Sequence, residues 1–196
     1  NVQPTVFGLP ADQHLYYRFY ALGQASEIGR TRTFPSRFQK VQHMRFALVS
    51  CNNYEQGFFP AYADIAQQDI DFVVHVGDYM YEGGASSTPL LENRVHNGAE
   101  CFSVEDYRNR YALYRLDPDL QAAHAQHPFI VTWDDHEVDN NYAGLTPEDS
   151  QLPADFIERR TNGYTVYSET MPLRRFNRLG FRKGGLNLAR KRSFGD

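Results

Sequence analysis

A dense run of ionisable and amide side chains extends from Trp133 to Tyr142. It contains four carboxylates, one histidine and two asparagines, in the order Trp-Asp-Asp-His-Glu-Val-Asp-Asn-Asn-Tyr. Carboxylates at this density repel one another unless solvent or a cation compensates their charge. Two interpretations are therefore open: a solvated polar turn, and a loop that binds a metal or takes part in catalysis.

Two earlier apolar segments also end in residues that could do chemistry. Residues 46–51 end in the thiol of Cys51, and residues 71–78 end in the carboxylate of Asp78, with the phenol of Tyr81 just beyond. A thiolate, a phenolate and a carboxylate are all anionic when they bind a metal, and each needs a cation to lower its pKa. Such a set favours a trivalent, Lewis-acidic iron over Ca²⁺ or Mg²⁺, which take oxygen ligands.

A second ion could be held by hard oxygen ligands in the same region. Asp135, Asn53 and Asn140 offer such oxygens, whereas Asp134 is expected to support the ligands rather than to be one. Two neighbouring metals stabilise the attacking and leaving oxygens of phosphoester hydrolysis. We therefore predict hydrolysis by a metal-bound hydroxide, with His136 aiding the phosphate or the leaving group.

The elements that must position these residues begin with three predicted strands. The apolar segments at residues 46–51, 71–78 and 128–133 are short, rich in β-branched residues and without clean alternation. This pattern is typical of strands that are buried on both faces of a parallel sheet. Because ligands bind beyond the carboxyl ends of such strands, the predicted α/β fold places Cys51, Asp78 and the acidic run at one edge.

Three helices are predicted between the strands from their start signals and apolar spacing. They are residues 58–68 with an apolar face of Phe59, Ala63 and Ala66, a helix with a capping box at Ser103 and Asp106, and a helix that Asp117 caps before Pro118.

The second of these helices carries a stripe of aromatic residues and two arginines. Tyr107, Tyr111 and Tyr114 are spaced as one helix face and are predicted to pack on the sheet. Arg108 and Arg110 lie off this stripe. Arg108 could bind a substrate phosphate through two N–H groups, or it could be a solvated helix arginine.

Other histidines and one arginine allow structural interpretations. His75 is predicted to be a hydrogen-bonded core residue, whereas His124 and His127 follow an alanine-rich turn and are predicted at the surface. Arg94 and His96 lie in a long loop that could overhang the site and contact a phosphate.

Composition sets further limits. The 196 residues, 41% of them apolar, can bury a single core, and the chain has no apolar run long enough for a membrane span. Two cysteines do not make a disulfide framework.

Residues 171–196 hold eight basic residues against one acid. We favour an exposed segment there over an arm that binds nucleic acid or an anionic surface, because nothing else indicates base recognition.

Near the start of the chain, residues 5–34 read as two or three antiparallel strands, with a turn at residues 21–24. So few strands are marginal by themselves. They are therefore predicted to be the end of a β-sandwich.

Four segments together resemble the alkaline phosphatase D (PhoD-like) family of metallophosphoesterases, in that family's order and spacing. They are residues Ser50–Gly57, Gly77–Glu82, Glu105–Tyr114 and Trp133–Tyr142.

The resemblance implies a ligand set and an activity. Cys51, Asp78 and Tyr81 would ligate Fe³⁺, and Asp78 and Asp135 would reach towards Ca²⁺. Asn53 stays a candidate metal ligand on the ground of its amide oxygen alone. The family hydrolyses phosphomonoesters and phosphodiesters outside the cytoplasm. It also uses a later Gly-Asp-x-His motif, which does not occur in this sequence.

The resemblance also implies a domain organisation. Residues 1–38 are predicted to be the last strands of an N-terminal β-sandwich of the fibronectin type III or immunoglobulin type. Residues 39–196 are predicted to be the N-terminal half of a truncated metallophosphoesterase domain, with a partial sheet flanked by helices.

Two functional hypotheses follow from these observations. The first is a monomeric metal-dependent phosphoesterase that takes phosphoester substrates and works outside the cytoplasm. The second is a catalytically incomplete fragment, or an α/β module that binds metal or anions without turnover.

Overall fold

The computed structural model describes residues 2–173, 188–189 and 191–195. In these residues a small parallel sheet with helices follows two short antiparallel pairs of strands. The strands are β1 (His14–Tyr17), β2 (Tyr20–Ala21), β3 (Gln24–Ala25), β4 (Gly29–Arg32), β5 (Phe46–Val49), β6 (Phe72–His75) and β7 (Phe129–Val131). The helices are α1 (Pro60–Gln67), α2 (Val104–Tyr114), α3 (Pro118–Gln126) and α4 (Pro153–Thr170).

The parallel sheet confirms the predicted α/β architecture. Its order is β5-β6-β7, and both pairings are parallel. In the centre of the sheet, Val74 pairs with Leu48 on one side and with Ile130 on the other. All three strands therefore end at the same edge, and the loops that carry the candidate site residues leave from that edge.

The two faces of this sheet are buried to different extents. Val73, His75 and Val131 are buried on one face, and Val73 and Val131 join the apolar core that the helices build. On the other face Phe46 and Leu48 of β5 are 47% and 64% exposed. The prediction that these strands are buried on both faces was therefore wrong for β5, because the described helices supply apolar partners to one side of the sheet.

Helix α1 forms where it was predicted, but it presents a different face to the core. Its buried residues are Tyr62 and Ile65, preceded by buried Phe59, whereas Ala63 and Ala66 are only half-buried. Burial of the larger side chains removes more apolar surface from water, and this sets the rotation of the helix.

The predicted start signals of α2 and α3 are confirmed. Ser103 and Asp106 form a reciprocal capping box at the start of α2. The Asp117 carboxylate accepts hydrogen bonds from the N–H groups of Asp119 and Leu120, and Pro118 occupies the first turn of α3. These side chains satisfy backbone donors that a helix start leaves without partners.

The aromatic stripe of α2 also lies where it was predicted. Tyr107, Tyr111 and Tyr114 are buried in the core. Arg110, which was predicted off the stripe, is only 1% exposed and donates to the carbonyl oxygens of Tyr81 and Gly83. Its guanidinium thereby binds the loop after β6, a role that helical spacing alone could not indicate.

The N-terminal strands form two antiparallel pairs, β1 with β4 and β2 with β3. The predicted turn is present, and Leu22 and Gly23 adopt positive φ values of 51° and 74° within it. An ion pair between Arg32 and Asp71 connects these strands to the start of β6. The assignment of residues 1–38 to a β-sandwich stays a prediction.

Three further predictions concern the ends of the chain and its cysteines. Most of the basic segment, residues 171–196, lies outside the described residues, because the structure does not describe residues 174–187, 190 and 196. Cys51 and Cys101 are both free. No helix in the described part of the chain has the length and apolarity to cross a membrane.

Candidate functional site

Three carboxylates meet at the carboxyl edge of the sheet. One oxygen each of Asp78, Asp134 and Asp135 lies within 4.8 Å of the others. Asp78 comes from the loop after β6, and the other two come from the loop after β7. Partial loss of solvent and the charges of Asp135 and Asp78 raise the pKa of Asp134. A cation would relieve this repulsion, and hard carboxylate oxygens suit Ca²⁺.

The most telling member of this group is Asp78. It is 7% exposed, and its Oδ1 is buried with no hydrogen-bond partner among the described residues. Its Oδ2 accepts a hydrogen bond from the Tyr81 hydroxyl at 3.2 Å. A buried carboxylate oxygen without a donor is costly unless it is paired with a cation or coordinates a metal. The residues therefore fit a metal at this point.

Cys51 and Tyr81 lie beside Asp78. The N–H of Cys51 donates to the Gly77 carbonyl at 3.2 Å, which joins the loop after β5 to the loop after β6. Burial raises the pKa of Tyr81, and the charges of Asp78 and Cys51 raise it further. A phenol in such surroundings ionises only if a cation is bound, as a ferric site would require. Cys51 lies outside the group of three carboxylates, and its side chain is exposed.

Backbone strain accompanies these positions. Cys51 and Asp78 have φ values of 58° and 54°, which non-glycine residues adopt at a cost. The loops of both residues therefore depend on surrounding contacts to hold their shape.

Glu137 provides one set of these contacts. It is 1% exposed, and its carboxylate accepts from the backbone N–H groups of Tyr79 at 2.7 Å, Asp134 at 2.8 Å and Asp78 at 3.2 Å. Burial raises the pKa of Glu137 to about 7, although the three N–H donors oppose this. The side chain thus fastens the loop after β6 to the loop after β7.

Gly77 brings the same two loops into close contact. A Cβ atom at this position would lie 2.4 Å from the backbone nitrogen of Asp134 and 2.5 Å from its Cβ, and the φ of Gly77 is 120°. Only glycine permits both the approach and this backbone conformation.

The substitution Gly77→Ala should therefore destabilise the chain by about 2–4 kcal/mol, because it adds strain and forces Asp134 away from Asp78. Urea unfolding monitored by circular dichroism measures this loss. The matched control is Gly83→Ala, whose new Cβ would meet nothing within 4 Å. Equal stability of the two variants would contradict the close packing described for Gly77.

Asn52 links the loops from a third direction. Its amide nitrogen donates to the Tyr79 carbonyl at 2.9 Å, and its oxygen accepts from the Tyr62 hydroxyl at 3.1 Å and contacts His75 Nε2 at 2.7 Å. Burial lowers the pKa of His75 to about 4. His75 is therefore neutral at neutral pH and is the hydrogen-bonded core histidine that the sequence predicted.

His136 pairs with a buried acid. Its Nδ1 lies 2.8 Å from Oε2 of Glu82, which is 4% exposed. Desolvation lowers the pKa of His136, but the hydrogen bond to Glu82 and the charges of Glu82, Asp78 and Asp135 outweigh it, so that the pKa is raised. The second oxygen of Glu82 accepts from the N–H of Asn140 at 2.7 Å. This leaves Nε2 of His136 as the nitrogen available to a substrate.

The remaining predicted site residues have structural partners. The Asn53 side chain accepts from the Glu55 N–H at 3.0 Å and caps a short 3₁₀ turn, Tyr54–Gln56. Arg108 forms a bidentate pair with Glu169 of α4, with both contacts at 2.8 Å, and it is exposed. Metal binding by Asn53 and phosphate binding by Arg108 stay predictions.

Four residues that the sequence placed at the surface or over the site are buried or half-buried. His127 is 2% exposed and bonds the Ile65 carbonyl, and His124 is half-buried against Tyr79, so the surface prediction was wrong for both. Arg94 pairs with Asp117 in the interior, and His96 is 4% exposed. Tertiary packing provides the partners that these polar groups need: Ile65 of α1 for His127, Tyr114 of α2 for His96, the cap residue Asp117 of α3 for Arg94, and Tyr79 after β6 for His124.

Asp134 is the site residue that sequence reasoning missed as a candidate ligand. Asp134 adjoins Asp135 in the acidic run, so the high density of charge in this segment could be read from the sequence. What the sequence could not indicate is that the turn after β7 directs both carboxylates towards Asp78.

Comparisons with known proteins agree with this geometry. A family model described as PhoD-like phosphatase matches residues 46–196. The chain is 46% identical over 176 residues to alkaline phosphatase D from Bacillus subtilis (strain 168). The aligned region covers 89% of this chain and 30% of that protein. A solved structure titled "Structure of PhoD" aligns with a TM-score of 0.88 at 43% identity, over 95% of this chain and 36% of the other. The chain thus spans about a third of the length of these relatives, and it belongs to the PhoD-like phosphatase family.

Proposed function

We propose that this chain contributes to the active site of a metal-dependent phosphoesterase that hydrolyses phosphate monoesters or diesters. The observation that carries the proposal is the buried Oδ1 of Asp78, which has no hydrogen-bond partner in the described part of the chain and lies beside two further carboxylates and a phenol. Family membership supports the reaction class.

Two neighbouring ions would fit the side chains present. Cys51, Asp78 and Tyr81 would hold Fe³⁺, since a thiolate and a phenolate suit a strongly Lewis-acidic ion. Asp78, Asp134 and Asp135 would hold Ca²⁺ through carboxylate oxygens, and Asn53 would add an amide oxygen. When bound, the metal pair would supply a hydroxide nucleophile near neutral pH and Lewis-acid stabilisation of the phosphoryl oxygens.

The protein's own groups would manage the proton and the leaving group. Glu82 holds Nδ1 of His136, so that Nε2 is the nitrogen that would donate a proton to the departing oxygen. Arg108 would need to exchange Glu169 for a substrate phosphate in order to act. An open cleft of about 350 Å³ borders Asp134 and Asp135 and could receive the organic group of the ester. Its other lining residues include Trp133, Tyr142 and Tyr164.

We further propose the wider setting that the family suggests. The whole protein would act outside the cytoplasm as a monomer, with a β-sandwich that includes residues 1–38 before the catalytic domain of residues 39–196. Its partner would be a phosphoester, with no recognition of nucleic acid beyond a phosphodiester substrate.

The test is to load the purified chain with Fe³⁺ and Ca²⁺ and to measure metal content, visible absorbance and hydrolysis of p-nitrophenyl phosphate and its diester. We expect bound iron, a violet colour from thiolate or phenolate charge transfer, and turnover. The substitution Cys51→Ser should remove the colour and most of the activity, whereas Cys101→Ala, at the other free cysteine, should keep both.

Two results would argue against the proposal. A colourless chain that retains no metal after reconstitution would favour the hypothesis of a non-catalytic module. Full colour in Cys51→Ser would remove that residue from the ligand set.

A further inference from the structure

The hydroxyl of Tyr114 on α2 joins the two loops that carry the candidate iron ligands. It accepts a hydrogen bond from the N–H of Tyr54 at 3.1 Å and another from the N–H of Tyr81 at 3.1 Å. Tyr54 follows Cys51 in the loop after β5, and Tyr81 ends the run that begins at Asp78 in the loop after β6. One oxygen atom therefore binds the backbone of both loops.

The hydrogen-bonding capacity of a phenol fixes the rest of this arrangement. Two N–H donors occupy both lone pairs of the Tyr114 oxygen, so its own proton must be donated elsewhere. Among the residues that the structure describes, the acceptor in reach is Nε2 of His96, at 3.0 Å. Nδ1 of His96 then carries the proton and donates to the Gly83 carbonyl at 2.9 Å. Every polar atom of the arrangement is thereby satisfied.

The environment makes this arrangement rigid. Tyr114 is fully buried and His96 is 4% exposed, so neither exchanges its partner for water. The backbone N–H of His96 donates in turn to the Glu55 carboxylate at 3.0 Å. A buried network in which each donor has one acceptor favours a single geometry.

The loops that Tyr114 joins need such external support. Cys51 and Asp78 both have positive φ values, which the surrounding contacts must maintain. Their side chains must also converge on one ion if the proposed function is correct. Groups that hydrogen-bond to metal ligands or support them set the orientation of those ligands and influence metal affinity.

We propose that Tyr114 is a positioning residue of the metal centre, which holds the loops of Cys51 and Tyr81 at the separation that one ferric ion requires. This inference rests on the proposed function. Tyr114 would touch neither metal nor substrate, and it acts through the backbone of the two loops.

The test compares Tyr114→Phe with Tyr111→Phe. Both substitutions remove one buried hydroxyl from the same face of α2, but the Tyr111 hydroxyl has no hydrogen-bond partner among the described residues. Tyr111→Phe therefore controls for the loss of a buried oxygen. Two measurements are made: amide hydrogen exchange in the metal-free chain, and the dissociation constant for Fe³⁺ together with the visible absorption band.

In Tyr114→Phe we expect the amides of Tyr54 and Tyr81 to exchange about tenfold faster or more, because both have lost their acceptor. We expect Fe³⁺ to bind about 10–100-fold more weakly, with a shifted absorption band. Tyr111→Phe should resemble the unsubstituted chain in both measurements.

The two failures can be told apart. Unchanged exchange at Tyr54 and Tyr81 in Tyr114→Phe, or an unchanged iron affinity and band, would overturn the positioning role. An unsubstituted chain that binds no iron would instead overturn the proposed function, and with it the role of Tyr114 at a metal, whatever the exchange rates are.

Discussion

Replacement of Asp78 by asparagine should lower kcat/KM for p-nitrophenyl phosphate by about 10³-fold or more, because metal ions supply several kcal/mol of transition-state stabilisation. Asp78 is the one carboxylate that both proposed ions share. An asparagine keeps the shape and tolerates the positive φ of 54°, so the substitution removes charge and little else.

The fold should survive this change. In the metal-free chain Asp78 has a buried oxygen to which none of the described residues donates a hydrogen bond, and two carboxylates lie nearby, so the asparagine relieves repulsion. We expect the metal-free variant to melt at the same temperature as the unsubstituted chain or at a higher one. The control is Asp64→Asn on the exposed side of α1, which should leave activity unchanged. A lower melting temperature for Asp78→Asn would instead assign Asp78 a structural role.

Replacement of His136 by glutamine should lower kcat by about 10²–10⁴-fold, the usual range for loss of a general acid or base. Nε2 of His136 is the nitrogen that Glu82 leaves available, and glutamine carries no proton that it can give up. Exposed His43, replaced in the same way, serves as the control. The comparison should be made at saturating metal, so that a change in metal affinity does not enter kcat.

The partner substitution Glu82→Gln tests the direction of proton transfer. Desolvation lowers the pKa of His136, but the hydrogen bond that His136 donates to the Glu82 carboxylate and the charge of Glu82 raise it, so their removal should lower that pKa. A general acid must be protonated to act. The alkaline limb of the kcat profile should therefore move to lower pH in Glu82→Gln. A shift of the acidic limb alone would identify His136 as a base, and an unmoved profile would exclude the pair from proton transfer.

The features of the fold that could be predicted from the sequence are those that short, local segments determine. Apolar runs gave the positions of β5, β6 and β7, and Asp117 before Pro118 marked the start of α3. Local spacing also placed Tyr107, Tyr111 and Tyr114 on one buried face. These signals depend on neighbours a few residues apart, so a single sequence is enough to read them.

The features that could not be predicted depend on contacts between distant residues. Which of two apolar faces α1 buries depends on how Tyr62 and Ile65 pack into the core beside α3. The exposure of Phe46 and Leu48 depends on which side of the sheet the helices occupy. His127 appears polar in sequence and finds its partner at the Ile65 carbonyl, 62 residues away.

The candidate site divides in the same way. Cys51, Asp78 and Asp135 could be proposed because each follows an apolar strand, where the loops of a parallel sheet carry ligands. Glu137 and Tyr114 hold those loops by accepting hydrogen bonds from backbone N–H groups, and their sequence context does not indicate this supporting role. Such supporting contacts become visible only once the three loops are placed side by side.

The most direct test of a shared metal centre is an anomalous difference map at the iron absorption edge, from crystals of the metal-loaded chain. We expect a peak within about 2–2.5 Å of the Cys51 Sγ, the Tyr81 hydroxyl oxygen and a carboxylate oxygen of Asp78. A map with no peak among these three side chains, or with iron bound only elsewhere on the chain, would contradict this expectation.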